Sequence, residues 1–239
     1  CYHNIGALYD DQGKYNEALH YYQKGLAITR KILGDDHPDT ASSYNNIAGI
    51  YNTQGNFELA LQFYQKSLEI RIKTHGPYHP EVGTSYEHIA EVKQKQREYE
   101  EALNYYNLAK EVWVQINGHD HPSVAAIYTH IAHIYNYKFE FANSRNFLLK
   151  SIEIYEKINF DDQTVVPALL LEIAVTYQRE ENSKGELEYQ EKALEKKLKY
   201  LSENNEEILE LYQNIGLLYT SFHEDKQAIE YFEKALHAA

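Results

Sequence analysis

The sequence predicts an all-α fold, a right-handed α-solenoid of stacked antiparallel helix pairs. Three observations predict it: a repeat of fixed length, apolar residues at helical spacing within each repeat, and a turn signal between two such stretches. An Ile recurs in steps of 42 residues, at Ile5, Ile47, Ile89, Ile131, Ile173 and Ile215. A period in this range is typical of solenoids, in which each repeat buries its apolar face against its neighbours.

The first helix of each repeat is predicted from apolar residues that lie three or four positions apart. In the second repeat Tyr44, Ile47 and Tyr51 have this spacing, which fits the period of a helix and excludes the alternation of a strand. A small residue follows the Ile every time: Gly6, Ala48, Ala90, Ala132, Ala174 and Gly216. We expect this small residue to let the paired helix approach closely.

A turn and a second helix complete each repeat. Gly55 is expected to take the left-handed conformation that closes the first helix, and a second helical pattern then runs from Phe57 to Ile70. A His-Pro pair opens the next repeat, because Pro is tolerated at the first position of a helix. These pairs are His37-Pro38, His79-Pro80 and His121-Pro122. The predicted domain is one array, 1–239, with six repeats at about 1–43, 44–85, 86–127, 128–169, 170–211 and 212–239.

The fourth and fifth repeats depart most from the shared pattern. Phe139 replaces the turn Gly in the fourth repeat, whereas in the fifth Leu170 replaces Tyr, Ser183 an aromatic residue and Glu186 the small Ala. We expect these two repeats to be less regular and more mobile than the first three.

The composition excludes several classes of partner. The formal net charge of -13 disfavours nucleic acid and anionic membrane surfaces as partners. The chain has one cysteine, Cys1, so no disulfide can form within it, and a reducing compartment fits best. No apolar run approaches the length of a membrane span. The sequence therefore predicts a cytoplasmic protein without membrane insertion.

The candidate chemical residues do not converge on a catalytic or metal site. His37, His79 and His121 occur once per repeat, which favours a role in the linker loops over catalysis. His130 and His133 lie three positions apart, but no Cys and no suitable carboxylate spacing accompany them. Phosphate-binding loops and nucleophile motifs are missing from the sequence as well. We predict no catalytic residue, no cofactor, no metal and no enzymatic activity.

Both ends of the sequence interrupt the repeat. The chain opens at Cys1, one residue before the Tyr of its first repeat, and stops at Ala239 before a closing loop. Neither end has the polar face of a capping repeat. We therefore expect a fragment of a longer protein, with an apolar face that favours self-association through the exposed repeat ends. Its predicted residues are Ala228, Tyr231, Phe232 and Leu236.

The repeat resembles a known family in its helical signature, Tyr2-x-x-Ile5-Gly6-x-x-Tyr9, followed by Ala18 and Tyr22. This is the pattern of the tetratricopeptide repeat. The repeat length and the linker from Leu33 to Pro38 are similar to the variant found in kinesin light chains. The resemblance implies a superhelix whose first helices line a concave groove for a protein or peptide partner. It is less specific for function, since such repeats are also appended to signalling ATPases and transferases.

The resemblance also implies which side chains face this groove. The candidate peptide-binding residues are Asn45, Asn46, Asn52, His88, Gln94, Lys95, His130, His133, Asn136, Tyr137, Gln178, Arg179 and Asn214. Asn offers both a donor and an acceptor, so a ladder of Asn residues can hydrogen-bond an extended peptide backbone. The alternative interpretation is that these Asn residues bond across neighbouring helices.

The predicted function is a non-enzymatic scaffold that binds a peptide segment or partner helix in its groove, in the manner of a cargo adaptor. The alternative is a regulatory or oligomerising array within a larger signalling or enzyme-bearing protein. Lys95 and Arg179 are the only cations in the candidate set, so a neutral or mildly basic segment is expected over an acidic one. Histidines with an unperturbed pKa predict an affinity that changes between about pH 5.5 and 7.5.

Overall fold

The computed structural model describes residues 2–238, and this range contains twelve α-helices and no strand. The helices are α1 (Tyr2–Asp11), α2 (Tyr15–Leu33), α3 (Pro38–Thr53), α4 (Phe57–His75), α5 (Pro80–Lys95), α6 (Tyr99–Asn117), α7 (Pro122–Tyr137), α8 (Phe141–Lys157), α9 (Val165–Arg179), α10 (Ser183–Lys197), α11 (Glu206–Ser221) and α12 (Asp225–Ala238). They form two compact units, Cys1–His119 with α1 to α6 and Asp120–Ala239 with α7 to α12. Within each unit every helix packs on the next one, which confirms the prediction of an all-α solenoid.

The three His-Pro pairs start first helices, as predicted. In each pair the Pro is the first helical residue and the His is the N-cap. The His ring accepts a hydrogen bond through Nδ1 from a backbone N–H of the first turn, which has no partner inside the helix. The distances are 3.1 Å from His37 to Asp39, 3.3 Å from His79 to Glu81 and 3.2 Å from His121 to Ser123. These histidines are therefore helix caps. The predicted repeat boundaries, which were placed at residues such as Tyr44, lie inside the first helices.

The turn inside each helix pair contains one residue with a positive φ. Gly13 and Gly55 have φ values of 72° and 75°, as expected for glycine. The later turns keep this conformation with other residues: Arg97 at 63°, Phe139 at 60°, Glu181 at 56° and His223 at 60°. A side chain in this region costs roughly 1–2 kcal/mol, so the packing of the helices holds the turn without its glycine.

The fourth and fifth repeats have shorter second helices. Helices α2, α4 and α6 each span 19 residues, whereas α8 spans 17 and α10 spans 15. The prediction that these repeats are less regular is confirmed in this respect, and their greater mobility stays a prediction. None of the helices in residues 2–238 has both the length and the apolar character needed to cross a membrane.

The repeating Ile forms the core of the helix stack. Ile47, Ile89, Ile131, Ile173 and Ile215 are all buried. In the first unit Ile89 packs in one cluster with Ala48, Ala60, Tyr64 and Val92, which come from three successive helices. Ile89 therefore joins its own helix pair to the preceding one, whereas Ile5 of the first repeat is 37% exposed.

The predicted apolar face at α11 and α12 needs a correction. Ala228 is buried and Tyr231 is half-buried beside Tyr212 and Tyr219, so these two residues do not form an exposed face. The exposed apolar side chains that border a hollow of about 440 Å³ are Leu217, Phe232 and Leu236. Ala228 is buried because it takes the small position at which two paired helices touch.

Candidate functional site

In the first unit, the predicted binding residues of α3 and α5 are bonded to one another. Asn45 Oδ1 lies 3.0 Å from His88 Nδ1, and Lys95 Nζ donates to Asn52 Oδ1 at 3.1 Å. Lys95 also pairs with Glu91 at 2.7 Å. Both bonded pairs are 43 residues apart in sequence, so each joins one first helix to the next. The alternative interpretation, in which the Asn residues bond across neighbouring helices, is confirmed for Asn45 and Asn52.

Two adjacent side-chain amides, Asn45 and Asn46, have N–H donors that form no hydrogen bond within the described residues. Asn45 uses Oδ1 to accept from His88, and its Nδ2 donates to no other residue in the described part of the chain. The side chain of Asn46 is half-buried and has no hydrogen bond within residues 2–238. An amide that is fixed through one bond presents its remaining N–H donors in a defined direction.

His88 is half-buried and contacts groups from two neighbouring helices. Its ring lies 5.0 Å from the Tyr64 ring, and Asn45 bonds its Nδ1. Burial lowers the pKa of His88, since desolvation disfavours the imidazolium, and this outweighs the opposing effect of Glu91. The expected affinity change between about pH 5.5 and 7.5 assumed an unperturbed pKa, and this premise is wrong for His88. His88 therefore gains its proton at a lower pH than an ordinary histidine does.

Gln94 is tied to the core. The hydroxyl of the buried Tyr106 donates to Gln94 Oε1 at 3.2 Å. Burial raises the pKa of Tyr106, so the phenol stays protonated and acts as a donor. This bond positions Gln94 and uses one of its acceptor sites.

In the second unit, the candidate residues of α7 also reach α9. His133 Nε2 lies 2.8 Å from Glu172 Oε2, and Arg179 donates to Asn136 Oδ1 at 3.0 Å. The His130 ring lies 6.3 Å from the His133 ring, and the Tyr137 side chain is exposed. The Arg179–Asn136 pair is again 43 residues apart, which repeats the arrangement of Lys95 and Asn52.

The last two candidate residues, Gln178 and Asn214, line a cavity of about 400 Å³ between α9, α10 and α11. Two further lining residues, Glu186 and Gln190, are buried although they are polar. Glu186 was expected only to make the fifth repeat irregular, and neither residue was predicted to line a site. The sequence did contain a signal for them. Glu186 and Gln190 are polar at positions where most other repeats have a small or an aromatic residue, and a polar residue at such a position either destabilises the core or lines a site.

One group among the described residues brings three metal-binding atoms together. The side chains of His75, His79 and Glu81 place these atoms within 4.8 Å of one another at the linker before α5. However, Arg71 Nε lies 3.3 Å from Glu81 Oε2, so the carboxylate already faces a guanidinium. A cation would have to displace this ion pair, and we assign no metal to the group.

Among curated proteins, the chain is similar to a nucleotide-binding leucine-rich repeat-like protein of Hyaloscypha variabilis. The match is 46% identical over 41 residues. It covers 17% of this chain and 4% of that protein, so the similarity is local.

Several solved structures share the fold at low sequence identity. BtubC (BKLC) from P. vanneervenii superposes with a TM-score of 0.69 at 14% identity, over 94% of this chain and 90% of that one. A kinesin light chain repeat protein of Podosopora anserina has a TM-score of 0.65 at 20% identity, over 84% and 96%. Aspartyl phosphate phosphatase F from Bacillus subtilis has a TM-score of 0.70 at 15% identity, over 99% and 69%. At these identities the likeness shows the fold alone.

Sequence profiles of the tetratricopeptide repeat match most of the chain. One profile matches residues 1–73, 41–107 and 81–157, and a second matches residues 209–238. Together with the paired helices and the buried Ile column, these matches establish the family. The chain belongs to the tetratricopeptide repeat family.

Proposed function

We propose that the chain is an interaction scaffold that binds an extended or helical peptide segment on the face of α3 and α5. The observation that carries the proposal is the pair of amides, Asn45 and Asn46, whose donors are unused beside a bonded network. The bonds of Asn45, Asn52 and Lys95 hold this face in one arrangement, so a peptide would meet donors that are already positioned.

The charges on this face favour a neutral or mildly basic segment. Lys95 is paired with Glu91, and Glu87 accepts a hydrogen bond from the Trp113 indole at 2.6 Å. Burial raises the pKa of Glu87, with the bond to Trp113 opposing the shift. The one lysine of the face is thus neutralised, and an acidic peptide would find little favourable field there.

The proposal is tested with peptides selected on the whole chain from a random-peptide display library. We expect their affinity, measured by calorimetry, to fall at least about tenfold in the double variant Asn45→Ala/Asn46→Ala, because two backbone contacts are lost. The melting temperature is expected to fall only modestly, since both side chains are half-buried and a single inter-helix bond, from Asn45 to His88, is lost.

The matched control places the same number of substitutions on the second helix of the same pair. Gln62 and Glu69 are exposed on α4, and Gln62→Ala/Glu69→Ala should bind the selected peptides normally. If the Asn45/Asn46 variant binds as tightly as this control, the partner uses another surface and the proposal fails.

A second candidate function is a regulatory or oligomerising array within a larger signalling protein. The local match to the nucleotide-binding leucine-rich repeat-like protein favours it. The occupant of the apolar face at Leu217, Phe232 and Leu236 would then be a second copy of the chain. Leu217 and Leu236 are 60% and 75% exposed, so their burial would release water from a continuous apolar surface.

Analytical ultracentrifugation tests this second candidate. The wild-type chain is expected to dimerise, and Leu236→Ser is expected to raise the dissociation constant at least about tenfold, because it places a hydroxyl in the contact. Ile229→Ser is the control, since Ile229 is also exposed on α12 but does not border the hollow. A wild-type chain that stays monomeric would rule this candidate out.

A further inference from the structure

The cavity between α9, α10 and α11 has a mixed wall. Its apolar part comes from Leu171, Ala174, Val175 and Leu211. Its polar part comes from Gln178, Glu186, Gln190, Lys197, Glu207, Glu210 and Asn214. A volume of about 400 Å³ lies in the lower part of the range of ligand pockets, which is roughly 300–1,000 Å³.

The other repeats explain why the space exists. The position of Gln190 is a buried tyrosine in the first three repeats, at Tyr22, Tyr64 and Tyr106, and a buried leucine, Leu148, in the fourth. The position of Glu186 is a small residue in every other repeat: Ala18, Ala60, Ala102, Ser144 and Ala228. A glutamine fills less volume than a tyrosine, and a glutamate brings a charge to a contact that is otherwise neutral. The fifth repeat thus replaces two packing residues with two hydrogen-bonding ones.

These two residues leave acceptors without donors. Gln178 Nε2 and Gln190 Nε2 both donate to Glu186 Oε1 at 3.1 Å, and no residue in the described range donates to Glu186 Oε2. Gln190 Oε1 is buried and has no hydrogen-bond partner in that range. Glu186 and Gln190 are only 7% and 9% exposed, and Gln190 Oε1 itself is shielded from solvent. An unpaired buried acceptor is costly, which makes a donor-bearing occupant favourable.

The charges of the cavity wall also favour an occupant that carries hydrogen-bond donors. Lys197 is the only cation in the lining, and it pairs with Glu207. Glu186 and the exposed Glu210 are therefore left without a cationic partner in the wall. Burial raises the pKa of Glu186 even though two amides donate to it, as expected for a carboxylate without a nearby cation.

We propose that this cavity binds the guanidinium group of an arginine side chain on the partner segment. The inference rests on the proposed function of a peptide-binding scaffold, because the arginine would belong to a peptide partner. It also names the chemistry of that partner, a segment that places an arginine in the cavity of the second unit.

A guanidinium fits the wall better than an ammonium group does. The cavity offers two unoccupied acceptors on neighbouring side chains, Glu186 Oε2 and Gln190 Oε1, together with the carboxylate of Glu210. A planar fork with several N–H donors can serve more than one acceptor at once, whereas an ammonium group is a compact and strongly hydrated point charge. The apolar wall at Leu171 and Val175 suits the methylene stem of an arginine.

The test uses small probes, so that it does not depend on the identity of the peptide. Nα-acetyl-argininamide is titrated into the isotope-labelled whole chain, and the side-chain amide signals of Gln190 and Gln178 are followed by NMR. We expect saturable shifts with a Kd on the order of millimolar, as for a ligand of this size. Nα-acetyl-citrullinamide, which has nearly the same shape without the charge, is expected to bind at least about tenfold more weakly.

Two variants assign the binding to the cavity. Glu186→Gln removes the charge with little change of shape and should weaken the arginine probe at least about tenfold. Gln190→Tyr restores the tyrosine of the first three repeats, so it should abolish binding and raise the melting temperature by filling the space. Glu188→Gln is the matched control, because Glu188 is exposed on the same helix and should leave the affinity unchanged.

Three outcomes would overturn the inference. Without saturable shifts, the occupant of the cavity is ordered water. If Glu186→Gln binds the probe as well as Glu188→Gln does, the cation sits elsewhere. If Nα-acetyl-lysinamide binds as tightly as the arginine probe, the preference for guanidinium is wrong. A failure here leaves the peptide test at Asn45 and Asn46 unaffected, because those residues lie in the other unit.

Discussion

Ile89→Ala is expected to lower the free energy of unfolding by about 2–4 kcal/mol. Ile89 is fully buried between Ala48, Ala60 and Tyr64 of the preceding helix pair, and Val92 lies one turn further along its own helix. The truncation removes apolar contacts and leaves a cavity that this close packing can refill only in part. Equilibrium unfolding in urea measures the loss.

Hydrogen exchange shows how far this loss spreads. Repeats of a solenoid couple to their nearest neighbours, so the increase in exchange should be largest in α3 to α6. Ile32→Ala is the control, because Ile32 is exposed on α2 and should change the stability by less than about 0.5 kcal/mol. A uniform increase over all twelve helices would contradict nearest-neighbour coupling.

Arg71→Met is expected to cost about 2–3 kcal/mol of stability. Arg71 is 6% exposed, and its guanidinium donates to Ser85 Oγ at 2.7 Å and to the Glu81 carbonyl at 3.2 Å. Methionine retains much of the aliphatic volume, so the cost comes from the polar groups of α5 that lose their partner. Arg71 thus connects the end of one repeat to the first turn of the next.

The control for Arg71→Met is a substitution of Lys73, a nearby cationic side chain that is exposed to solvent. Lys73 pairs with Asp36, and both side chains are largely exposed, so Lys73→Met should change the stability by less than about 1 kcal/mol. Both variants are compared by urea unfolding at the same pH and ionic strength. Equal midpoints for the two variants would show that the buried bonds of Arg71 add no net stability.

The fold was predictable because its signals are local and repeated. The Ile column, the small residue after it and the His-Pro caps each recur at the same place in successive repeats, and the structure confirms each of them. The burial of Ala228 was predictable on the same grounds, since its equivalents Ala18 and Ala60 are packing residues. The prediction of an exposed face at Ala228 is wrong because this position of the repeat packs against the paired helix.

The candidate site was less predictable, because it depends on how neighbouring repeats are offset. The period places Asn45 and Glu87 at equivalent positions, yet Asn45 bonds His88. The cavity posed another difficulty. Glu186 departs from the pattern of the other repeats. From the sequence alone, such a departure could mean a less stable repeat or a repeat whose buried polar residues form hydrogen bonds in a cavity.

The 43-residue offset of the polar pairs limits how this array can grow by gene duplication. A second copy of residues 44–85 inserted after the first would preserve the apolar column and would therefore fold. The inserted copy would, however, change both polar pairs of the original repeat. Asn52 would face Thr53 of the copy instead of Lys95, and Asn45 would face Asn46 of the copy instead of His88. The polar pairs between α3 and α5, and between α7 and α9, thus join residues that are 43 positions apart and so do not occupy equivalent places in the 42-residue repeat. Repeats of identical sequence would stack, but their polar faces would have to evolve separately before they matched again.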